Sequence, residues 1–316
     1  MSDTYQYSEN LAETHSTLAR KAVNHKFENP PPPEWMEKKR RRRGCGCSCG
    51  FLSLAVLGFV FLAGVYILAP IRTNILLLGI DYTPPENAVG RSDTIILTTF
   101  VPLKPYIGML SIPRDLWVNV PGVGENRINT AHFFAEAQQA RTGPVAVKNT
   151  IQQNFGVDVD FYIRMRFDGF REVVNALGGL DIYLSEPMGG YPAGYHHLTG
   201  NKALAFTRNR SGSDDFFRME QGQFLLKAIL IQLLNPINWV KLPSVLMAFT
   251  KVIDTDLPWW QWPRIVLALF RAGPEGLDAR IISREMVTPY TTSQGANVLL
   301  PNWSVINPVL LELFGQ

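Results

Sequence analysis

The chain has 316 residues, 46% of them hydrophobic and 18% charged, enough apolar material for one large core or two smaller ones, and this excludes an intrinsically disordered protein. Its formal net charge of +3 lies wholly in residues 1–50, which hold nine of the 30 Lys and Arg and six of the 27 Asp and Glu, leaving 21 of each sign beyond. A nucleic-acid binder carries its basic excess on the folded domain that tracks the phosphates, so no nucleic acid is expected among the partners.

Residues 1–50 are rich in Ser, Thr, Asn and Glu and include NPPPPEW; too few apolar positions are present to pack, and the segment reads as a disordered basic cytoplasmic tail. FLSLAVLGFVFLAGVYILA, Phe51 to Ala69, is uncharged over nineteen residues. As a helix rising about 1.5 Å per residue it spans roughly the ~30 Å core of a bilayer. KKRRRR (Lys38–Arg43) precedes it and only Arg72 follows closely, which predicts a cytoplasmic N-terminus and an extracytoplasmic remainder. ILAPIR is a poor cleavage site, so the segment reads as an uncleaved signal anchor of a single-pass cell-membrane protein. Cys45, Cys47 and Cys49 lie in GCGCSCG at its cytoplasmic end, where lipidation and simple small-residue packing are both open and zinc lacks a fourth ligand. The outer part has no cysteine, so no disulfide supports it.

NILLLGI (Asn74–Ile80), TIILTTFV (Thr94–Val101), YIGMLSI (Tyr106–Ile112) and LWVNV (Leu116–Val120) carry strand punctuation and are expected as successive neighbours in one sheet. Asn129 or Thr130 is a capping residue for a helix through the 130s, and a second helix is expected from Gly143 to Asn154. FYIRMRF follows as a strand, DGFREVVNALGG as a helix with a glycine stop, and LDIYL as a strand. Beyond Asp215, FFRMEQGQFLLKAILIQLL has helical spacing, with further helices near Trp239–Thr250 and Trp260–Ala272 and a last strand and helix in LDARIIS and NPVLLELF. The fold class is α/β: a three-layer α-β-α sandwich with a mixed central sheet, plus one N-terminal transmembrane helix. The domain limits are 51–69 for the anchor, 70–235 for the core and 236–316 for a C-terminal helical extension completing it.

Charged residues interrupt the loops at strand ends: Asp81 after the first strand, Arg91 and Asp93 in GRSDTI, Arg114 and Asp115 in SIPRD, and Arg208, Arg210, Asp214, Asp215 and Arg218 in AFTRNRSGSDDFFRM. Such loops are where sites are built on rigid scaffolds. Arg208 and Arg210, two apart, point the same way on an extended backbone, and like charges so placed repel unless an anion joins them. Of the 21 basic residues beyond residue 50, fifteen are arginine, which favours planar two-pronged recognition of phosphate. A magnesium ion is commonly held by one or two carboxylates plus substrate phosphates, so the set matches a metal–pyrophosphate complex; a mutually neutralising surface network matches it as well.

NILLLGID, GRSDTIIL, LSIPRDLWV, RINTAHFF, FDGFREVVNALGGLDIYL, HHLTGNKALAFTRNR and GSDDFFRMEQ, in this order over Asn74–Leu234, resemble the LytR-CpsA-Psr family of cell-wall glycopolymer transferases. The resemblance implies a membrane-anchored phosphotransferase that moves a glycopolymer from a polyprenyl-pyrophosphate carrier to a peptidoglycan sugar hydroxyl with magnesium. It implies Asp81 and Asp93 as metal ligands, Arg91 beside them, and Arg114, Arg127, Arg208, Arg210 and Arg218 on the pyrophosphate, with Asp215 ordering the clamp. The general base is left open by the sequence, with Asp115 and Asp93 the candidates by type and location. Where the family often reads Arg-Gln-Gln after the last clamp arginine, this chain has EQGQ (Glu220–Gln223), removing a polar side chain at Gly222. A hydrolase of the same lipid and a non-catalytic polyprenyl-phosphate-binding regulator are the alternatives.

A polyprenyl chain needs an apolar slot, for which Phe133, Phe134, Phe224, Leu225, Ile229 and Leu233 are candidates, core packing being the ordinary use of such stripes. His196 and His197 are a weak zinc signal. PWWQWP, with Trp259, Trp260 and Trp262, fits either the bilayer interface or burial among the C-terminal helices.

Overall fold

The computed structural model describes residues 46–80, 90–209 and 215–315, with backbone alone for 46–51. Asp81, Arg210, Asp214, Cys45 and nearly all of the expected cytoplasmic tail lie outside the described residues. Residues through Gly58 form one unit and Phe59 onward a second; everything described from Thr73 on lies in the second.

A helix, α1 (Gly46–Leu68), precedes the strands. Among the described residues no single helix is long and apolar enough to cross a membrane; the described side chains of α1, Leu52–Leu68, form a shorter apolar helix.

The chain then forms β1 (Thr73–Ile80), β2 (Ser92–Phe100) and β3 (Ile107–Ile112), followed by the short pair β4 (Trp117–Val120) and β5 (Gly124–Arg127). Helices α2 (Ile128–Gln138) and α3 (Gly143–Phe155) lead to β6 (Phe161–Arg166), α4 (Phe167–Ala176) and the pair β7 (Leu180–Leu184) and β8 (Gly194–Leu198). Next come α5 (Gly200–Arg208), α6 (Asp215–Leu234), α7 (Leu242–Val252), β9 (Ile253–Thr255), α8 (Trp262–Ala272) and β10 (Leu277–Ile281). The hairpin β11 (Val287–Thr291) and β12 (Asn297–Pro301) precedes α9 (Trp303–Phe314).

Six strands make a mixed central sheet in the order β10, β3, β2, β1, β6, β9. β1 is antiparallel to β2 and parallel to β6, and β10 is parallel to β3. The near-continuous apolar runs of β1 and β3 suit strands covered on both faces. On one face Leu76, Leu78, Leu97 and Leu110 pack with Ile128 and Ala131 of α2, Val147 and Ile151 of α3, and Ile306 and Leu310 of α9. On the other, Ile96 and Met109 meet Leu226 and Leu230 of α6 and Leu269 and Ala272 of α8. Helices therefore cover both faces, as expected.

Three expectations need correction. The fourth strand is not a sheet neighbour of the first three, because Gly122 (φ 77°) and Gly124 (φ 94°) turn the chain back at once and β4 pairs with β5. Residues 236–316 are not purely a helical extension: β9 and β10 complete the central sheet at both edges, and β11–β12 form a separate hairpin. The helix of the 130s starts at Ile128 and not after Asn129 or Thr130; it has no side-chain cap, and its first amides bond backward, Ile128 N–H to Leu116 O at 2.8 Å and Asn129 N–H to Arg114 O at 3.3 Å. Those bonds satisfy donors that a helix start leaves open and pin the loop bearing Arg114.

Candidate functional site

The sheet register dictates the centre of the site. Ile95 of β2 faces Ile112 of β3, so the residues two beyond on each strand, Asp93 and Arg114, emerge together at one end of the sheet. Arg114 Nη1–H donates to Asp93 Oδ1 at 2.7 Å, and its Nε–H donates to Asp215 Oδ2 at 3.2 Å. Asp215 opens α6, and one turn on Arg218 Nη1 returns to Asp215 Oδ1 at 2.9 Å. Asp115 Oδ2 lies 3.6 Å from Arg114 Nε, and its Oδ1 lies 3.2 Å from Arg127 Nε. That second contact is an ion pair without hydrogen-bond alignment: the Arg127 Nε–H is buried and has no hydrogen-bond acceptor. The Arg127 Nη2 donates to Asn297 O at 2.6 Å.

Three guanidinium groups thus face three carboxylates, a balance that fits the salt-bridge reading of the sequence as well as the anion-site reading. Two of the carboxyls are shifted in opposite directions. Burial pushes the Asp115 carboxyl up, and its hydrogen bond with Asp215 acts the same way against the pull of Arg114 and Arg127. Asp215 goes the other way: burial works to raise it, but the bond from Asp115 and the charges of Arg114 and Arg218 hold it below the usual carboxylate range. The two carboxyls titrate as an interacting pair, Asp115 shifted up and Asp215 shifted down. Burial works against the charge of Arg114, yet its bond to Asp93 and the surrounding carboxylates keep it cationic beyond its ordinary range. The buried Arg127 Nε–H is left without an acceptor, which a closed salt-bridge network would not leave open and a bound anion would satisfy.

Arg114, Asp115, Asp215, Phe216 and Arg218 line a cavity of about 680 Å³ whose far wall is the β11–β12 hairpin: Pro289, Tyr290, Thr291, Asn297, Val298 and Leu299. The hairpin is held in place by backbone, Leu299 N–H to Asp115 O at 3.0 Å. No sequence reading assigned it to the site. Its signal was present in VTPYTTSQGANVLLP, two strand-like runs joined at Gly295 (φ 78°).

The structure brings together Asp93, Arg114, Asp115, Arg127, Asp215 and Arg218. Asp93 and Arg127 join this cluster through their ion pairs but do not line the cavity itself, and neither do Arg91 and Arg208. Arg91 lies over the Phe133 ring at 5.6 Å. Arg208 is the last residue of α5, so helical geometry directs its side chain and the alternation of extended backbone does not apply; it lies over Phe167 at 5.2 Å. The Phe167 ring in turn sits 3.5 Å from where a Cβ on Gly79 would stand, which holds Arg208 near the end of β1. Asp81 and Arg210, the remaining predicted members, lie outside the described residues.

A buried network behind Arg91 escaped the sequence reading. His132, 1% exposed, lies with Nδ1 2.9 Å from Gly90 O and Nε2 3.2 Å from Arg164 Nη1. The carbonyl can only accept and the guanidinium can only donate, so the proton sits on Nδ1 and the ring is neutral. Burial, with Arg164 beside it, lowers the His132 pKa accordingly. Arg164 is paired with Glu136 at 3.0 Å and Asp254 at 2.6 Å.

Of the expected lipid-slot residues, Leu225 and Ile229 are buried in a second apolar core with Phe224 and Leu233 packed against it, while Phe133 and Phe134 stand apart on α2. His197 pairs across its hairpin with Asp181 at 2.6 Å and His196 contacts Pro192 O at 2.7 Å, so neither faces the other as a metal ligand. Trp262 packs against the core, whereas Trp259 and Trp260 are 78% and 50% exposed. Gly222 leaves open space where its side chain would be; its neighbour Gln223 is buried and donates to Arg280 O.

Among the described residues no group of three or more His, Cys, Asp or Glu could hold a metal ion. Asp93 is a hard oxygen donor at the strand end, 13% exposed, with one oxygen engaged by Arg114. That fits a cation held by one or two carboxylates and completed by substrate phosphates, and does not fit an all-protein cage.

A model of the LytR_cpsA_psr family matches residues 70–298, a span that reaches past the expected core into β12 of the cavity wall. The polyisoprenyl-teichoic acid–peptidoglycan teichoic acid transferase TagU of Oceanobacillus iheyensis is 33% identical over 190 residues, covering 58% of this chain and 58% of that protein. The chain thus spans less than two thirds of that relative's length. Among solved structures, TagV of B. subtilis superposes with a TM-score of 0.63 at 22% identity, covering 78% of this chain and 98% of that one. TagT bound to LIIa-WTA gives 0.60 at 23% identity, covering 78% and 91%. At that identity both speak to the fold.

Proposed function

The chain belongs to the LytR_cpsA_psr family, and from that membership we propose that it is a membrane-anchored phosphotransferase that moves a glycopolymer from a polyprenyl-pyrophosphate carrier to a peptidoglycan sugar hydroxyl. The transferase name of the 33% identical relative supports the substrate class. The observation that carries the reading is the 680 Å³ cavity in which Arg114 and Arg218 flank a carboxyl pair of opposite pKa shifts. Guanidinium groups suit pyrophosphate oxygens, and perturbed carboxyl pairs mark acid–base sites.

In this reading Arg114, Arg127 and Arg218 bind the pyrophosphate and neutralise charge on its oxygens, the main demand that phosphoryl transfer makes of a protein. The acceptor hydroxyl oxygen attacks the phosphorus bearing the glycopolymer. One P–O bond forms, the bridging P–O bond breaks, and polyprenyl monophosphate leaves with the electron pair. The hydroxyl proton passes to Asp115, whose raised pKa makes it a stronger base than an ordinary aspartate. Asp93, with Asp81 beyond β1, would hold magnesium, which when bound supplies further positive charge to the phosphate oxygens. Arg91 and Arg208 serve at the periphery of this site.

The uncharged run Phe51–Ala69, preceded by Lys38–Arg43, supports a single-pass anchor with the site on the extracytoplasmic side of the cell membrane. The test is product analysis with the full chain, magnesium, a pyrophosphate-linked glycopolymer and peptidoglycan. Polymer covalently on the peptidoglycan is the expected product. Phosphorylated polymer released to water indicates a hydrolase, and an unchanged carrier that stays bound indicates a regulator.

A further inference from the structure

The C-terminal helices leave a set of large apolar side chains without partners. Ile237 and Val240, on the 3₁₀ turn Pro236–Lys241, are 82% and 88% exposed; Leu246 and Met247 on α7 are each 59% exposed, and Trp259 and Trp260 follow on the turn before α8. These belong to one surface, because the elements that carry them are packed side by side: Trp239 meets Phe270 edge-on at 5.7 Å and Phe249 meets Trp262 at 5.9 Å. Isolated exposed apolar residues are ordinary, but a contiguous set with two tryptophans marks an interaction surface.

What covers that surface follows from a single buried arginine. Arg264 of α8, 3% exposed, donates through Nη2 to Ala69 O at 3.3 Å and Ile71 O at 2.8 Å, and its guanidinium lies over the Tyr66 ring at 4.9 Å. The start of α8 is therefore locked to the residues where α1 ends. Trp260 lies four residues before Arg264, on the turn that leads into α8, and so stands close to the end of α1. The polar layer on each side of a bilayer is roughly 5–8 Å thick, half the difference between a ~30 Å core and its ~40–45 Å total. If the end of α1 lies at the outer boundary of the hydrocarbon, Trp259 and Trp260 stand at the depth that tryptophan favours. Leu68 and Ile71, 50% and 60% exposed, continue the apolar surface at the exit of α1. Neither α7 nor α8 contains an acidic residue, and each carries a cation, Lys251 or Arg271, in its last turn. That charge sign suits anionic headgroups.

We propose that the face formed by the 3₁₀ turn Pro236–Lys241, α7, the Trp259–Gln261 turn and α8 docks on the surface of an anionic lipid bilayer, a second membrane contact that fixes the orientation of the domain to which α1 tethers it. The proposal rests on the reading of α1 as an anchor. It deepens that reading because a lone helix leaves the domain free to swivel, whereas a helix plus a docked face sets the height and tilt of the catalytic cavity above the lipid.

The test uses the full chain reconstituted in phosphatidylglycerol-rich vesicles whose acyl chains carry bromine, a short-range quencher of tryptophan fluorescence. The wild-type chain is quenched, and Trp259→Phe/Trp260→Phe loses the larger part of that quenching. Leu246→Glu/Met247→Glu stays in the vesicles after alkaline carbonate but loses the quenching to a similar extent, with an unchanged near-ultraviolet circular dichroism spectrum. Carbonate-resistant flotation with equal quenching in the wild type and the tryptophan variant overturns docking and leaves the anchor standing. Failure to float overturns both. Tryptophan shielding from acrylamide that depends on protein concentration and not on brominated lipid assigns the face to a second copy of the chain and overturns the proposal.

Discussion

Arg114 is the member of the cluster whose removal has the most calculable effect. Arg114→Ala deletes a 2.7 Å bond to Asp93 and a 3.2 Å bond to Asp215 and leaves Asp93, Asp115 and Asp215 facing one another with two cations instead of three. A hydrogen bond to a charged group contributes about 1.5–3 kcal/mol, and partial solvent access places these bonds near the low end, so a loss of about 2 kcal/mol is expected. For a domain of this size each kcal/mol moves the melting temperature by about 2–4 °C, giving a fall of roughly 4–8 °C at neutral pH. The sign of its pH dependence also follows. The Asp215 pKa is held down in part by Arg114, and a depressed carboxyl contributes stability above its unfolded value that is lost as pH falls through the folded one. The variant lacks that contribution, so its deficit holds from neutrality down to the unfolded carboxyl value of about 3.9 and narrows only below it, as pH falls through the depressed folded value. Thermal melting of wild type and variant at several pH values measures it. A deficit independent of pH, or one below about 0.5 kcal/mol, refutes Arg114 as the electrostatic hub. In the transferase assay the loss of one charge-stabilising donor is expected to lower turnover by about 10²–10³-fold.

Other outcomes follow from neighbouring parts of the structure. Gly222→Ala fills open space inside α6 and is expected to raise stability by about 0.5–1 kcal/mol through helix propensity, seen as a higher melting temperature. His132 has a lowered pKa, so the fold has its full stability above the unfolded value of about 6.5 and loses it as pH falls through the folded value; His132→Gln should flatten that acid limb of the stability profile. Asp93→Asn should shift the magnesium titration of transfer to higher concentration; an unmoved titration removes Asp93 from the metal.

The strands and helices were legible where the pattern was strong and local. NILLLGI, YIGMLSI and FFRMEQGQFLLKAILIQLL form β1, β3 and α6 because their apolar positions suit burial on two faces or along one helical stripe. That Asp93 and Arg114 belong to one site was legible, since both fall at strand ends; that they bond to each other directly was not, and it took the sheet register to show it. The hairpin wall was not: Tyr290 and Asn297 are ordinary polar surface residues until Leu299 N–H meets Asp115 O, a backbone bond that leaves no trace in side-chain type. The side-chain direction expected for Arg208 fails for a similar cause, since the alternation argument assumed an extended backbone where Gly200–Arg208 is helical. His132 was hidden for the opposite reason: a lone histidine on a helix is uninformative until Gly90 and Arg164 are seen on its two nitrogens.

The central claim concerns which phosphate travels with the polymer. A carrier radiolabelled only in the phosphate that bears the glycopolymer, incubated with the full chain, magnesium and peptidoglycan, reports it directly. Attack at that phosphorus predicts label covalently attached to the peptidoglycan and unlabelled polyprenyl monophosphate released in equal amount. Label retained by the lipid, or polymer joined to peptidoglycan without it, contradicts the phosphotransfer account.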